Sequence, residues 1–260
     1  MLDRTIAVGL RRWPLVEVCG LPVTASTLRD AAADMVDYCS AGPRRALPVT
    51  STSVNGQVIS LCAGDPEVRS LFAEADIIHC DGQPLVMLSR LMGRQRIPER
   101  VATTDLYPAV AALAAERGVT FYLLGATPAV NAAAVARSRA AHPGLQIVGA
   151  RHGYLSPDAE RDVVAEIARL KPDILWVALG APREQLFCRR HRADLAGVGI
   201  IKTAGGLFDF LAGAKRRAPV ALQRAGLEWL FRLSLEPRRL FLRYLVTNPH
   251  ALLVMLRSLR

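Results

Sequence analysis

Apolar and polar positions along this chain alternate between two rhythms, helical spacing and short continuous apolar runs, and the recurring switch lays out the elements. Thr27-x-x-Asp30 has the form of a capping box ahead of an apolar-periodic helix that is expected to stop near Gly42. Ala46 to Thr50 then reads as a buried strand, Asn55 to Cys62 as a helix, Asp76 to Cys80 as a short strand, and Pro84 to Leu91 as the next helix. Further strands are predicted at Val119 to Leu124, Leu145 to Val148, Ile174 to Leu179 and Val198 to Lys202, each separated by a helical pattern. This βαβ rhythm predicts an α/β fold with a mostly parallel sheet and helices on both faces.

The texture changes after residue 213. From Lys215 to Arg260, basic residues are interleaved with large apolar ones, among them Trp229, Phe231, Phe241 and Tyr244. Pro219 suits a helix start, and Arg224, Glu228 and Arg232 then fall at i, i+4 and i+8 along one face. The expected organisation is a body over residues 1–213 and a basic, amphipathic helical appendage over 214–260.

Composition narrows the class. At 260 residues and 51% hydrophobic, the chain can bury one sizeable core, and its net charge of +10 calls for an anionic partner: nucleic acid, an acidic lipid surface or a diphosphate. Cys19, Cys39, Cys62, Cys80 and Cys188 form no CxxC pair, so neither a zinc site nor a disulfide framework is expected, and the setting is read as the reducing cytoplasm. Thr5 to Leu10 is a short apolar run framed by charges without a small-residue cleavage pattern, so no signal peptide is expected. The late apolar run Ala251 to Leu256 is far short of the roughly 20 residues a spanning helix requires, which makes any membrane contact peripheral.

The appendage carries more cation than its acids can pair, with Arg216, Arg217, Arg238, Arg239, Arg243, Arg257 and Arg260 flanking the helical stripe. Cation beside exposed apolar bulk suits anionic lipid headgroups, at roughly 1 kcal/mol per basic residue near the surface. A nucleic-acid reader would be expected to show aromatics spaced for base stacking or a helix-turn-helix, and neither is present, so no nucleic-acid partner is expected. The competing reading is a nucleotide-binding protein whose basic tail contacts nucleic acid.

In parallel sheets ligands bind beyond the carboxyl ends of the strands. Four places qualify here: Ser53 and Asn55, Asp81, the turn Gly125-Ala126-Thr127, and the turn from Gly180 through Glu184 and Gln185. Gly125 and Gly180 permit close backbone approach where helix N-terminal N–H groups favour an anion, although neither turn has a dinucleotide or P-loop fingerprint. Asp81, between an apolar strand and a Gly-Gln-Pro turn, suits two roles: an N-cap for the following helix, or a carboxyl whose pKa burial raises enough for proton abstraction. His79 reads as a satisfied core histidine rather than a ligand, and no other histidine shares metal-ligand spacing with it. The chain has no Asp-x-Asp to hold a diphosphate through a divalent metal, so arginines would have to neutralise it.

Taken together, Thr50 to Gln57, Asp81-Gly82, Glu99-Arg100-Val101 with Thr104-Asp105, Leu124-Gly125-Ala126, Leu179-Gly180-Ala-Pro-Arg, Gly205-Gly206-x-Phe208-Asp209, Arg217-Ala218-Pro219 and Leu227-Glu228-Trp229-x-x-Arg232 resemble the WecG/TagA/CpsF glycosyltransferases over about residues 15 to 250. The resemblance implies a Rossmann-like catalytic domain whose C-terminal appendage completes the site at the cytoplasmic membrane face. It implies transfer of a sugar, N-acetylmannosamine, its uronic acid or a related hexose, from a UDP donor to a polyprenyl-diphosphate-linked acceptor. The transfer would proceed with inversion and without an obligatory metal or other cofactor, in surface or exopolysaccharide assembly. By position the family's base falls on Asp81 and its Thr-x-Asn pair on Ser53 and Asn55, where the methyl is lost and the hydroxyl kept. Arg100 becomes a candidate for the acceptor or the departing diphosphate, with an ion pair to Glu99 or Asp105 as its ordinary alternative. The Pro-Lys-Gln-Glu turn appears as Pro182-Arg183-Glu184-Gln185, which makes Glu184 and Gln185 donor candidates. Arg217, Arg224 and Arg232 are the candidates for the UDP leaving group. The resemblance also admits self-association into a homo-oligomer, which the sequence itself does not specify.

Overall fold

The computed structural model describes residues 13–41, 46–91 and 96–258. The Thr5 to Leu10 run, Gly42 and Arg260 lie outside the described residues. The elements run β1 (Leu15–Val18), β2 (Leu21–Thr24), α1 (Leu28–Ser40), β3 (Val49–Val54), α2 (Gly56–Gly64), α3 (Pro66–Ala73), β4 (Ile77–Cys80), α4 (Gln83–Leu91), α5 (Thr103–Arg117) and β5 (Thr120–Gly125). They continue with α6 (Pro128–Ala141), β6 (Gln146–Arg151), α7 (Pro157–Leu170), β7 (Ile174–Ala178), α8 (Arg183–His191), β8 (Ile200–Thr203), α9 (Leu207–Leu211), α10 (Val220–Arg224), α11 (Glu228–Leu235) and α12 (Pro237–Arg257).

Six strands form one all-parallel sheet in the order β4-β3-β8-β7-β5-β6. The chain leaves β4 at one edge and re-enters at β5 in the other half, so β8 and β7 fill the gap between the halves and all carboxyl ends open on one side. That is the geometry of a ligand crevice in a parallel α/β sheet. One face of the sheet is covered by α1, α5, α6 and α9, where Tyr107 packs edge-on against Trp176 at 4.9 Å and Phe121 at 5.8 Å. The opposite face carries α2, α3, α7 and α8. The capping box at Thr27 forms, with the Thr27 hydroxyl accepting the Asp30 N–H.

Three expectations need correction. The strand placed at Ala46 to Thr50 runs instead from Val49 to Val54, with Ala46 and Leu47 exposed. Its Thr and Ser residues have the polarity of a turn, but the hydroxyls of Thr50, Thr52 and Ser53 find partners within the fold: the half-buried Asp76 and the buried Gln185 and Lys202 respectively. Ser53 therefore lies within the strand. The second correction is the β1–β2 antiparallel hairpin, whose tight turn uses Cys19 at φ 50° and Gly20 at φ 78°. In the third, Arg224, Glu228 and Arg232 do not share one helical face, because Gly226 at φ 73° ends α10 and Glu228 opens α11.

The tail is not detached from the body. Helix α12 packs on α2, and its Ala251 and Met255 join the core cluster formed by β1, β2, α2, α3 and α4. Its other side exposes Phe241, Leu242, Leu245, Val246, Leu252, Leu253 and Leu256.

Gly125, at φ 144°, brings its backbone so close to β7 that an added Cβ would lie 2.3 Å from the Ala178 carbonyl oxygen. Gly125→Ala is expected to destabilise the fold by about 2 kcal/mol or more in denaturant titration, through overpacking and a disfavoured φ. Gly64→Ala, at the end of α2 with nothing within 4 Å of the added carbon, is expected to be neutral or stabilising by up to about 1 kcal/mol. Equal effects at the two positions would contradict this account of the β5–β7 junction.

Candidate active site

The crevice is built from the tips of β3, β4 and β8 and from the loop and helix that follow β4. Asp81 leaves β4 with its backbone N–H held by the Val54 carbonyl at 2.8 Å, which locks the strand tip to its neighbour. Its carboxyl does not cap α4, where Gly82 supplies the carbonyl to Leu85 and Val86. Around the carboxyl stand the Arg100 guanidinium, the Lys202 ammonium, the Glu228 carboxylate and the start of α5, a helix whose N-cap residue, Ala102, makes no side-chain cap.

The carboxyl keeps part of its surface open while protein surrounds most of it. Burial raises the Asp81 pKa to about 6 against the pull of Arg100, Lys202 and the Thr103 N–H, with the Glu228 carboxylate adding to the rise. The group therefore sits between its two protonation states near neutral pH.

Arg100 is clamped by the tail. It donates to Glu228 at 2.8 Å, to Gln223 at 2.9 Å and more loosely to Asp105 at 3.5 Å. The ordinary alternative for Arg100 is thus half met by Asp105, whereas Glu99 accepts from the Leu28 N–H. Arg217 makes a two-pronged contact with Asp105 and also donates to Gln223 at 3.0 Å, while Gln223 is fixed by donating to the Ala218 carbonyl. Burial alone would raise the Asp105 carboxyl; the hydrogen bond and charge of Arg217, with Arg100 behind it, more than offset this and hold it below the usual range. Arg217 Nε is buried with no hydrogen-bond partner among the described residues.

The remaining candidates divide. Ser53 Oγ accepts from Lys202 and lies 3.2 Å from Thr103 Oγ1, which ties it to the Asp81 neighbourhood. Asn55 caps α2 with its Oδ1 on the Val58 N–H. The Gly180 N–H is taken, with that of Gly205, by the Glu184 carboxylate, and burial pushes Glu184 up to about 7. Gln185 is buried and donates to Thr52. Gly125 is a packing glycine at the β5–β7 junction. Arg224 is exposed at the end of α10, and Arg232 lies over the Phe210 ring at 5.8 Å, so neither joins the Arg100–Arg217 clamp. His79 is buried, but neither ring nitrogen has a hydrogen-bond partner among the described residues, so it is not a satisfied core histidine. Among the described residues no group of three or more His, Cys, Asp or Glu is placed to hold a metal ion, and no helix is long and apolar enough to cross a membrane.

Sequence reading missed Lys202, Thr103 and the acceptor roles of Gln223 and Glu228. Lys202 ends an apolar run and looks like the polar edge of a strand; only the hydroxyl-rich sequence of β3 next to it signals a buried polar seam.

A group with a depressed carboxyl pKa lends stability above its unfolded value and loses it as pH falls through the folded value. Lowering the pH below about 4 is therefore expected to release the clamp at Asp105, as is Asp105→Asn at neutral pH. Hydrogen exchange should quicken in residues 217–235 while β7 and β8 stay protected. Unchanged exchange in that segment would show that the clamp does not hold the tail.

Sheet order, a strand-tip aspartate and an arginine clamp reaching in from the tail now stand together with one comparison. The glycosyl transferase WecG/TagA/CpsF family model matches residues 16–260, nearly the whole chain, and the protein belongs to that family.

Proposed function

We propose that the protein is an inverting, metal-independent transferase that moves a sugar from a UDP donor to a polyprenyl-diphosphate-linked acceptor in surface or exopolysaccharide assembly. N-acetylmannosamine, its uronic acid or a related hexose is the proposed sugar. The observation that carries the reading is Asp81: a carboxyl held near pKa 6, partly open to the crevice and flanked by two guanidinium groups. Asp81 takes the proton of the acceptor hydroxyl as its oxygen attacks the anomeric carbon, and the bond from that carbon to the diphosphate oxygen breaks on the opposite side. Charge that builds on the departing UDP falls to Arg100 and Arg217, whose donors are already oriented. Ser53 and Asn55, on and just beyond the tip of β3, serve the donor sugar.

The tail is proposed to seat the protein on the inner face of the cell membrane. Arg238, Arg239 and Arg243 on α12 lie among its exposed apolar side chains, a composition suited to anionic headgroups. Flotation with anionic vesicles tests this part, and failure to float at low salt would remove it.

Turnover of UDP-sugars with a short-chain polyprenyl-diphosphate sugar, followed by mass spectrometry, tests the chemistry. Asp81→Asn is expected to lower kcat by roughly 10²–10⁴-fold with the donor KM little changed. Because the base must be ionised, kcat/KM of the unmodified protein should rise with pH through about 6 and level off above it. Near-native turnover by Asp81→Asn would reject Asp81 as the base.

A further inference from the structure

Lys202 stands on β8 near the centre of the sheet, with none of its surface reaching solvent. Its Nζ donates to Ser53 Oγ and to the Thr203 carbonyl, each at 2.9 Å, and it forms no ion pair among the described residues. A buried ammonium held only by neutral oxygens is costly, so its place beneath the crevice wants a reason.

The reason lies in what it touches. An ammonium has only hydrogens to give, so Ser53 Oγ must accept there, and the serine's own hydrogen is left to turn toward Thr103 or the crevice. Thr103 also opens α5, the helix whose start lies beside Asp81. Strand register puts His79 beside Ser53 on the same face, with both ring nitrogens buried and without a hydrogen-bond partner among the described residues. Burial, and then the charge of Lys202, push His79 down to about 3, so it stays neutral and cannot stand in for the lysine.

We propose that Lys202 is a positioning residue for the transfer: its buried ammonium sets the direction of the Ser53 hydroxyl and supplies a fixed positive charge behind Asp81. It acts through Ser53 and through space, without meeting substrate, and its role rests on the reading of Asp81 as the base. The charged and titratable groups that face Asp81 are Cys80 on its own strand, Arg100 from the loop before α5, Arg217 from the segment before α10, Glu228 from α11 and Lys202 from β8. Those that face Lys202 are Glu184 and Cys188 from α8, Asp81, and His79 from β4. Both thiols are pushed up to about 12, chiefly by burial, and remain neutral. Burial pulls Lys202 itself down to about 8, so its charge is present at neutral pH and fades as the pH rises past that value.

The test compares the full-length protein with Lys202→Met, a near-isosteric change, by carbon-13 NMR titration of the Asp81 carboxyl and by the pH profile of kcat/KM. Loss of the charge is expected to move the Asp81 titration upward by roughly half to one pH unit, and to lower kcat/KM at pH 6 by roughly two- to fivefold beyond the pH-independent loss that a misdirected Ser53 hydroxyl brings. Ser53→Ala, which removes the hydroxyl but keeps the ammonium, should leave the titration in place while raising the donor KM. If Lys202→Met does not fold, Lys202→Gln reads the same shift. An unmoved Asp81 titration, or an equal shift in Ser53→Ala, overturns the proposal. A shifted titration with an unmoved acid limb in the kinetics rejects Asp81 as the base and takes the role of Lys202 in the transfer with it, whereas an unmoved titration overturns the proposal alone.

Discussion

Two arginines from different parts of the chain share the same acceptors, and that sharing governs the shape of the crevice. Asp105 and Gln223 each accept from both Arg100 and Arg217. Asp105 belongs to α5, which the sheet fixes, and Gln223 belongs to α10, in the tail. The shared contacts therefore dock α10 and α11 over the tip of β4 and bring Glu228 within 2.8 Å of Arg100. Exposed ion pairs contribute little on their own, but a bidentate, partly buried network resists fraying better than its separate pairs. Protein surrounds most of Asp81, and burial is the dominant influence on that carboxyl.

The charges then divide by distance from the crevice. Arg100 and Arg217 lie at the rim, committed to acids that an incoming diphosphate could displace. Lys202 lies beneath, where no ligand reaches. Around Asp81, burial and Glu228 favour the protonated form, while Arg100, Lys202 and the start of α5 favour the ionised one; the near balance leaves a carboxyl able to change state near neutral pH. Glu184 is also lifted, to about 7, but its oxygens hold the Gly180 and Gly205 amides, so it braces the β7 and β8 turns. One carboxyl is open to the crevice and the other is engaged within the wall.

The parallel sheet was legible because β5, β7 and β8 are short apolar runs between helical patterns, and residues buried on both faces leave that mark. Strand β3 was misplaced because its middle positions are Thr and Ser, and the partners of Thr50, Thr52 and Ser53 come from Asp76, α8 and β8, far away in sequence. The break in the tail was signalled by Gly226, yet the charge spacing of Arg224, Glu228 and Arg232 suggested a continuous helix. Ser53 and Asp81 were legible as strand-tip positions, motif resemblance added Arg100 and Arg217, and the structure brings the four into one neighbourhood. Lys202 could not be found that way, because a lysine at the end of an apolar run carries no sign of whether its side chain emerges or turns inward.

Base catalysis of the proposed kind has a stereochemical consequence. If Asp81 takes the proton of the acceptor hydroxyl while that oxygen displaces the diphosphate directly, the anomeric carbon is attacked once. The most direct measurement is the anomeric configuration of the product bond by proton NMR, set against that of the UDP-sugar consumed. Inversion is expected; retention would contradict direct displacement at Asp81.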